Sequence, residues 1–352
     1  MLNSLFEIAS NVQIETNFCI RHPNYQAFAL ETEVAERFQQ TSTALQQKFL
    51  TLRLRNFLHG IYYNGSLQTT LAVNGDVTND QQHQNLDNSN LGIDGQFYEL
   101  LHKSNNGIGY FDPNWQVLRL EPDGSLAVIK GGLTLYVESD HLREPTMPSV
   151  KDGNIAIWMP KNRLQNGFYI ALSNVGQEQL GYPDADLGVG RIYFNLTPSG
   201  AIALMKSLTL QLNAVAIPFS FQVLSHPSAY GRYDSGILYF ERNDYPSVRE
   251  VLQDVYLEHQ SHFHKPVPLF TKFLAPGLSL AEEPTQKFAL TESFGLNRCH
   301  VVATALLEAW QKGKNSTEER INTICQHFSR QGIDLQRPYL NPYSEDIYFP
   351  LN

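Results

Sequence analysis

Cysteine is scarce in this chain: Cys19, Cys299 and Cys325 are all that 352 residues contain. They lie far apart, form no CxxC pair and are odd in number. That argues against a disulfide scaffold and a structural zinc site, and it fits reduced thiols in the cytoplasm. Long apolar runs are also missing. None approaches the roughly 20 residues that a membrane helix needs. Met1 to Ser10 has neither a basic segment nor a long apolar core, so no signal peptide is expected. Positive charge is in deficit, with 26 Lys and Arg against 35 Asp and Glu and a formal charge of −9. An acidic surface repels phosphate backbones, so nucleic acid is not an expected partner, although one local phosphate pocket remains open.

The common catalytic signatures are absent too. There is no Walker loop, no GxGxxG after a strand, no HExxH and no GxSxG elbow. Leu187-Gly188-Val189-Gly190-Arg191 has two of the dinucleotide glycines and lacks the third. His262-Phe263-His264 has no cysteine or carboxylate cluster beside it to complete a metal set, and it reads as a surface loop. No cofactor or metal is expected.

Hydrophobic residues make up 42% of the chain and aromatics 11%, enough to fill a sizeable core. Glu31 to His59 carries Ala35, Phe38, Leu45, Phe49, Leu52 and Phe57 at helical spacing, with Thr32 as the expected cap. Residues 74–90 are mostly Asn, Asp and Gln and predict a mobile loop. A short helix over Asp94 to Ser104 should stop on a left-handed Asn105-Asn106-Gly107. From Trp115 the pattern is strand-like. Trp115 to Leu120 and Leu126 to Lys130 predict a hairpin across Pro122-Asp123-Gly124. Leu133 to Val137, Ile155 to Trp158 and Phe168 to Ser173 extend it as a meander. Val189 to Leu196, Pro218 to Leu224 and Gly236 to Phe240 are further strands. Helices are expected at Pro198 to Asn213 (capped by Thr197), Pro246 to His262, Arg298 to Lys312 and Thr317 to Arg330. Strict βαβ alternation is absent, so the fold class is α+β with a mostly antiparallel sheet flanked by helices. A boundary is expected near residue 110, between a helical N-terminal region and an α+β region over 111–352. The N-terminal helices either stand apart or pack on the later sheet.

The candidate site is a set of cations in apolar settings. Arg191 leads the strand Arg191-Ile192-Tyr193-Phe194-Asn195. Arg232 precedes an apolar strand, and Arg298 opens a helix. Lys206 lies in a mostly apolar helix, Lys130 ends a strand, and Lys161 and Arg163 flank a turn. Arginine forks bind phosphate oxygens bidentately, and a helix N-terminus adds donors. The bland reading pairs each arginine with a local acid, and Asp234, Glu282 and Glu283 are available. Tyr193, Tyr233 and Tyr239 read first as core aromatics. His226, before Pro227, reads as a turn residue that could also serve catalysis. Whether the cations converge is not visible in one dimension.

Several segments resemble the HopA1 type III effector domain family. They are Arg191-Ile192-Tyr193-Phe194-Asn195; Tyr230-Gly231-Arg232-Tyr233-Asp234-Ser235-Gly236 with Leu238-Tyr239-Phe240; Ala275-Pro276-Gly277 with Ala281-Glu282-Glu283-Pro284; Ser293-Phe294-Gly295 with Asn297-Arg298-Cys299; and Pro338-Tyr339-Leu340-Asn341-Pro342. The resemblance runs from about Gly188 to Pro342, and its wording is closest to cyanobacterial members. It implies a role similar to that of the phosphothreonine lyases in lanthipeptide and thioamide peptide clusters. There a partner kinase phosphorylates Ser or Thr of a peptide, and the lyase eliminates the phosphate. Arg191, Tyr193, Arg232, Arg298 and Gln222 would then contact substrate. Lys206 or Lys130 would be the base, and His226 an accessory catalytic group. Lowering a lysine from about 10.4 to about 7–8 requires about 3–4 kcal/mol of differential interaction. The resemblance also implies a lysine in the strand that here reads Phe219-Ser220-Phe221-Gln222-Val223. An amide cannot be that base. The alternative is therefore a non-catalytic relative that binds a peptide or partner protein, or an effector-like interaction protein.

Overall fold

A computed structural model describes residues 1–15, 17–73, 94–142, 153–176 and 188–351. The chain opens with helix α1 (Leu2–Asn11), a small antiparallel sheet of β1 (Gln13–Ile14), β2 (Ile20–His22) and β3 (Tyr25–Phe28), and helices α2 (Thr32–Gln39) and α3 (Thr43–Leu58). A single wide helical turn, His59–Tyr63, continues α3. Helix α4 (Gly95–Ser104) precedes β4 (Tyr110–Leu120), β5 (Leu126–Lys130), β6 (Leu133–Val137) and β7 (Asn154–Met159). Next come β8 (Asn162–Gln165), β9 (Phe168–Leu172), β10 (Val189–Phe194), α5 (Pro198–Ala214), β11 (Phe219–Leu224), β12 (Gly236–Glu241) and α6 (Tyr245–His259). Strands β13 (Lys272–Ala275) and β14 (Leu278–Glu282) and helices α7 (Phe294–Gln311) and α8 (Thr317–Arg330) complete the order.

The central sheet has seven antiparallel strands in the order β13-β14-β10-β12-β11-β9-β8. The period-2 alternation of its strands separates two faces. On one face Ile192, Phe194, Phe219, Phe221, Val223, Leu238 and Phe240 are fully buried. Helices α5 and α6 cover it, with Phe240 against Tyr245 of α6. Gly190 belongs to this face because a Cβ there would lie 2.4 Å from the Phe240 ring. The opposite face is polar: Arg191, Tyr193, Ser220, Gln222, Tyr239 and Ser279 share it through the registers Arg191↔Tyr239, Tyr193↔Ser279 and Ser220↔Tyr239. Tyr63 and Phe294 pack over it at Tyr193. Gly295 permits that approach, since a Cβ would sit 2.3 Å from the Tyr63 ring. Leu5, Ile8, Leu54 and Phe57 join Val302, Leu306 and Phe328 in the same hydrophobic cluster, so α1 and α3 pack on α7 and α8.

Several expectations need correction. The helical stretch after Glu31 is two helices, Thr32–Gln39 and Thr43–Leu58, the second capped by Ser42. The Gln46 side-chain amide lies within hydrogen-bond distance of the carbonyls of Phe38, Gln39 and Thr41 at the end of α2. Thr32 is the first helical residue rather than the cap. Helix α4 starts at Gly95 with Asp94 as its cap, and it ends on Asn105 in an extended rather than a left-handed conformation. Asn105 then spends its amide on Lys161 O and Tyr169 Oη. The meander divides: β7 pairs with β4 in a four-stranded sheet, whereas β9 belongs to the central sheet. Strands β13 and β14 are too short to stand out in the pattern. The polar stretch 74–90 lies outside the described residues.

Candidate functional site

The polar face of the central sheet gathers a continuous chain of contacts. Gln222 Nε2 donates to the Tyr239 hydroxyl at 3.3 Å. The Tyr239 ring lies 4.8 Å beneath the Arg191 guanidinium. Arg191 forms an ion pair with Glu283, and Glu283 forms a second with Lys287. One carboxylate thus bridges two cations. Arg191 is only 6% exposed, and its Nε is buried without a hydrogen-bond partner. Glu283 Oε2 faces Arg191 Nη2, and its Oε1 faces Lys287 Nζ. Burial, then the neighbouring Arg191 charge, pushes the Lys287 ammonium below the usual lysine range. Both effects favour the neutral amine, whereas the Glu283 carboxylate paired with it favours the ammonium.

Lys287 is presented by the loop between β14 and α7, which is pinned on both sides of it. Asn297 Nδ2 donates to Gln286 O at 2.9 Å, and Phe288 N donates to Glu292 Oε2 at 2.9 Å. The Phe288 ring stacks on His300 at 4.1 Å. Glu292 is 3% exposed. Burial alone would raise its carboxyl, but His300, the Phe288 amide and Asn297 outweigh that and hold it low.

The structure brings some of the expected residues together and leaves others apart. Arg191, Tyr193 and Gln222 share the polar face. Tyr193 meets Tyr63 edge-on, 6.3 Å between ring centroids. Burial pushes both phenols above the usual range, which makes them poor proton donors. Arg232 lies close to Tyr63, but its fork is taken by Asp234, with Nε to Oδ1 at 2.5 Å and Nη2 to Oδ2 at 2.9 Å. For Asp234, burial alone would raise the carboxyl; Arg232 outweighs it and holds the group below the usual range. His59, stacked on Tyr63 at 4.8 Å, is lowered by burial to about 4 despite the Asp234 charge. Arg298 donates to Pro338 O at 2.8 Å, Leu340 O at 3.0 Å and Asn297 Oδ1 at 2.7 Å, so its fork holds the C-terminal strap.

The two lysines named from sequence as bases lie elsewhere. Lys130 stands in the four-stranded sheet, 2.9 Å from Asp112 Oδ1 and 2.8 Å from Pro113 O. Lys206 is exposed on α5, which covers the opposite, apolar face. His226 accepts from Ser228 N at 3.2 Å within a short turn at Pro227–Ala229. Sequence reasoning missed Lys287 and took Tyr239 for a core aromatic. Lys287 sits in a loop with no periodic pattern. The one available signal was its spacing of four from Glu283, which gains meaning only once the loop is folded back.

Among the described residues no helix is long and apolar enough to cross a membrane. The family model for the HopA1 effector proteins matches residues 159–340, just over half of the chain. Two solved structures of effector proteins from Pseudomonas syringae are similar to it. That from pathovar tomato strain DC3000 is 17% identical with a TM-score of 0.42, over 70% of this chain and 80% of that one. That from pathovar syringae strain 61 is 16% identical with a TM-score of 0.42, over 70% and 80%. No curated protein matches the chain. With the matched segment running from the end of β7 to the strap that Arg298 holds, the chain belongs to the HopA1 effector protein family.

Proposed function

We propose that this protein eliminates phosphate from phosphoserine or phosphothreonine in a peptide, with Arg191 holding the phosphate and Lys287 acting as base. The observation that carries the reading is the placement of Arg191 and Lys287 on either side of one carboxylate. The neutral amine takes the Cα proton. The released electron pair forms the Cα=Cβ bond, and the Cβ–O bond breaks towards phosphate. Arg191 stabilises the charge gathering on the leaving oxygens, which its planar fork suits. A partner kinase supplies the phosphorylated substrate. The three free cysteines fit a reducing cytoplasm.

A second reading keeps the anion site without the chemistry. It rests on Gln222, whose amide donates to Tyr239 where the family resemblance implies a lysine. In that case the chain binds a peptide or partner protein as an effector-like interaction module. Mass spectrometry of phosphothreonine and phosphoserine peptides incubated with the protein separates the two. Elimination leaves a dehydroamino acid. Phosphopeptide that is bound and recovered unchanged moves the assignment to the binding module.

A further inference from the structure

Glu282 and Glu283 are adjacent carboxylates with different surroundings. Glu282 is 1% exposed and accepts from Arg242 Nε, the Asn341 amide, Ser344 Oγ and Tyr348 Oη. It is a fixed structural acid. The Glu283 side chain is 18% exposed and is held by two cations alone. Its backbone is locked: the Glu283 amide donates to Val189 O at 2.8 Å, and its carbonyl accepts from Asn341 Nδ2 at 2.8 Å. Only the side chain is free to leave.

We infer that the Glu283 carboxylate is an internal stand-in for the ligand anion, occupying the Arg191 fork until a phosphate dianion displaces it into solvent. This rests on the proposed phosphate role of that site. Arg191 is more than nine-tenths buried, with its Nε unpartnered, so the resident carboxylate leaves a donor of the fork unused. A phosphoryl group brings three oxygens and up to two charges, and it engages the fork through directed bonds. A monovalent anion gains no charge over the carboxylate it must expel. The device therefore selects dianions and rejects free carboxylates and chloride. It also keeps Arg191 from being an uncompensated buried charge in the empty protein.

Calorimetric titration of the full chain with inorganic phosphate tests this, using wild type, Glu283→Gln and Glu283→Asp. Removing the competing charge tightens phosphate binding on the order of tenfold in Glu283→Gln, whereas Glu283→Asp stays within a few-fold of wild type. Titration with chloride gives no saturable heat in wild type. Equal or weaker phosphate binding in Glu283→Gln, with an unchanged near-ultraviolet spectrum, overturns the displacement role and leaves the anion site standing. If Glu283→Gln fails to fold, the Glu283→Asp arm decides: a several-fold change in either direction sinks the inference. Phosphate binding in none of the three folded chains overturns the inference and the proposed function together.

Discussion

Arg298→Met separates a structural arginine from a ligand-binding one, and its cost follows from the contacts. The wild-type fork makes three charge-assisted bonds, to Pro338 O, Leu340 O and Asn297 Oδ1. Each contributes about 1.5–3 kcal/mol net, so the set is worth about 4–9 kcal/mol. Against this stands the cost of burying the charge. Burial lowers the Arg298 guanidinium from 12.5 to about 10, which corresponds to about 3 kcal/mol that methionine recovers. The balance is a loss of about 1–6 kcal/mol, with the orphaned carbonyls at 338 and 340 released first. Denaturant unfolding gives the free energy, and hydrogen exchange over 338–351 gives its location. At about 2–4 °C per kcal/mol for a large domain, the midpoint falls by about 2–24 °C. A Met variant within about 0.5 kcal/mol of wild type, with an unchanged strap, refutes the reasoning. Lost phosphate binding at unchanged stability would put Arg298 in the anion site instead.

Gly295→Ala should destabilise the fold by about 1–3 kcal/mol, since overpacking against the Tyr63 ring outweighs the up to about 1 kcal/mol that helix propensity offers alanine; thermal unfolding checks the sign. His59 is proton-poor in the fold, so its contribution is full above its unfolded value of 6.5 and is lost as pH falls from there towards about 4. The gap is worth about 3 kcal/mol at most, and in His59→Phe the fall in stability over that interval should flatten; a parallel pH curve contradicts it. Gln222→Lys places a second amine beside Tyr239. If Lys287 is already the base, this variant changes the elimination rate by less than tenfold.

The sequence carried the elements whose patterns are long or punctuated. Helix α5 follows from Thr197, which caps the Gly200 amide at 3.0 Å, and Pro198 behind it. The β4–β5 hairpin follows from Gly124, which takes a φ of 86° in its turn. The antiparallel α+β class was legible for the same reason. The division of the strands between two sheets was not, because β7 and β9 carry the same local pattern and differ only in their long-range partners. The acids available to Arg191 and Arg232 were nameable from sequence, and the structure gives them Glu283 and Asp234. Lys287 was not nameable: its chemistry comes from a loop folded onto the polar face of a sheet, and nothing in residues 284–292 announces that fold-back. Lys130 and Lys206 looked equally plausible because apolar neighbours in sequence do not say which face of the sheet a side chain serves.

Release of phosphate from a phosphothreonine peptide, followed by phosphorus NMR with wild type and Lys287→Met side by side, tests the central claim most directly. The account predicts phosphate release with a dehydrated peptide product in wild type, and a loss of about 10²–10⁴ in rate in Lys287→Met while the peptide still binds through Arg191. Unchanged turnover in Lys287→Met would contradict the assignment of the base, and no turnover in wild type would contradict the lyase reading itself.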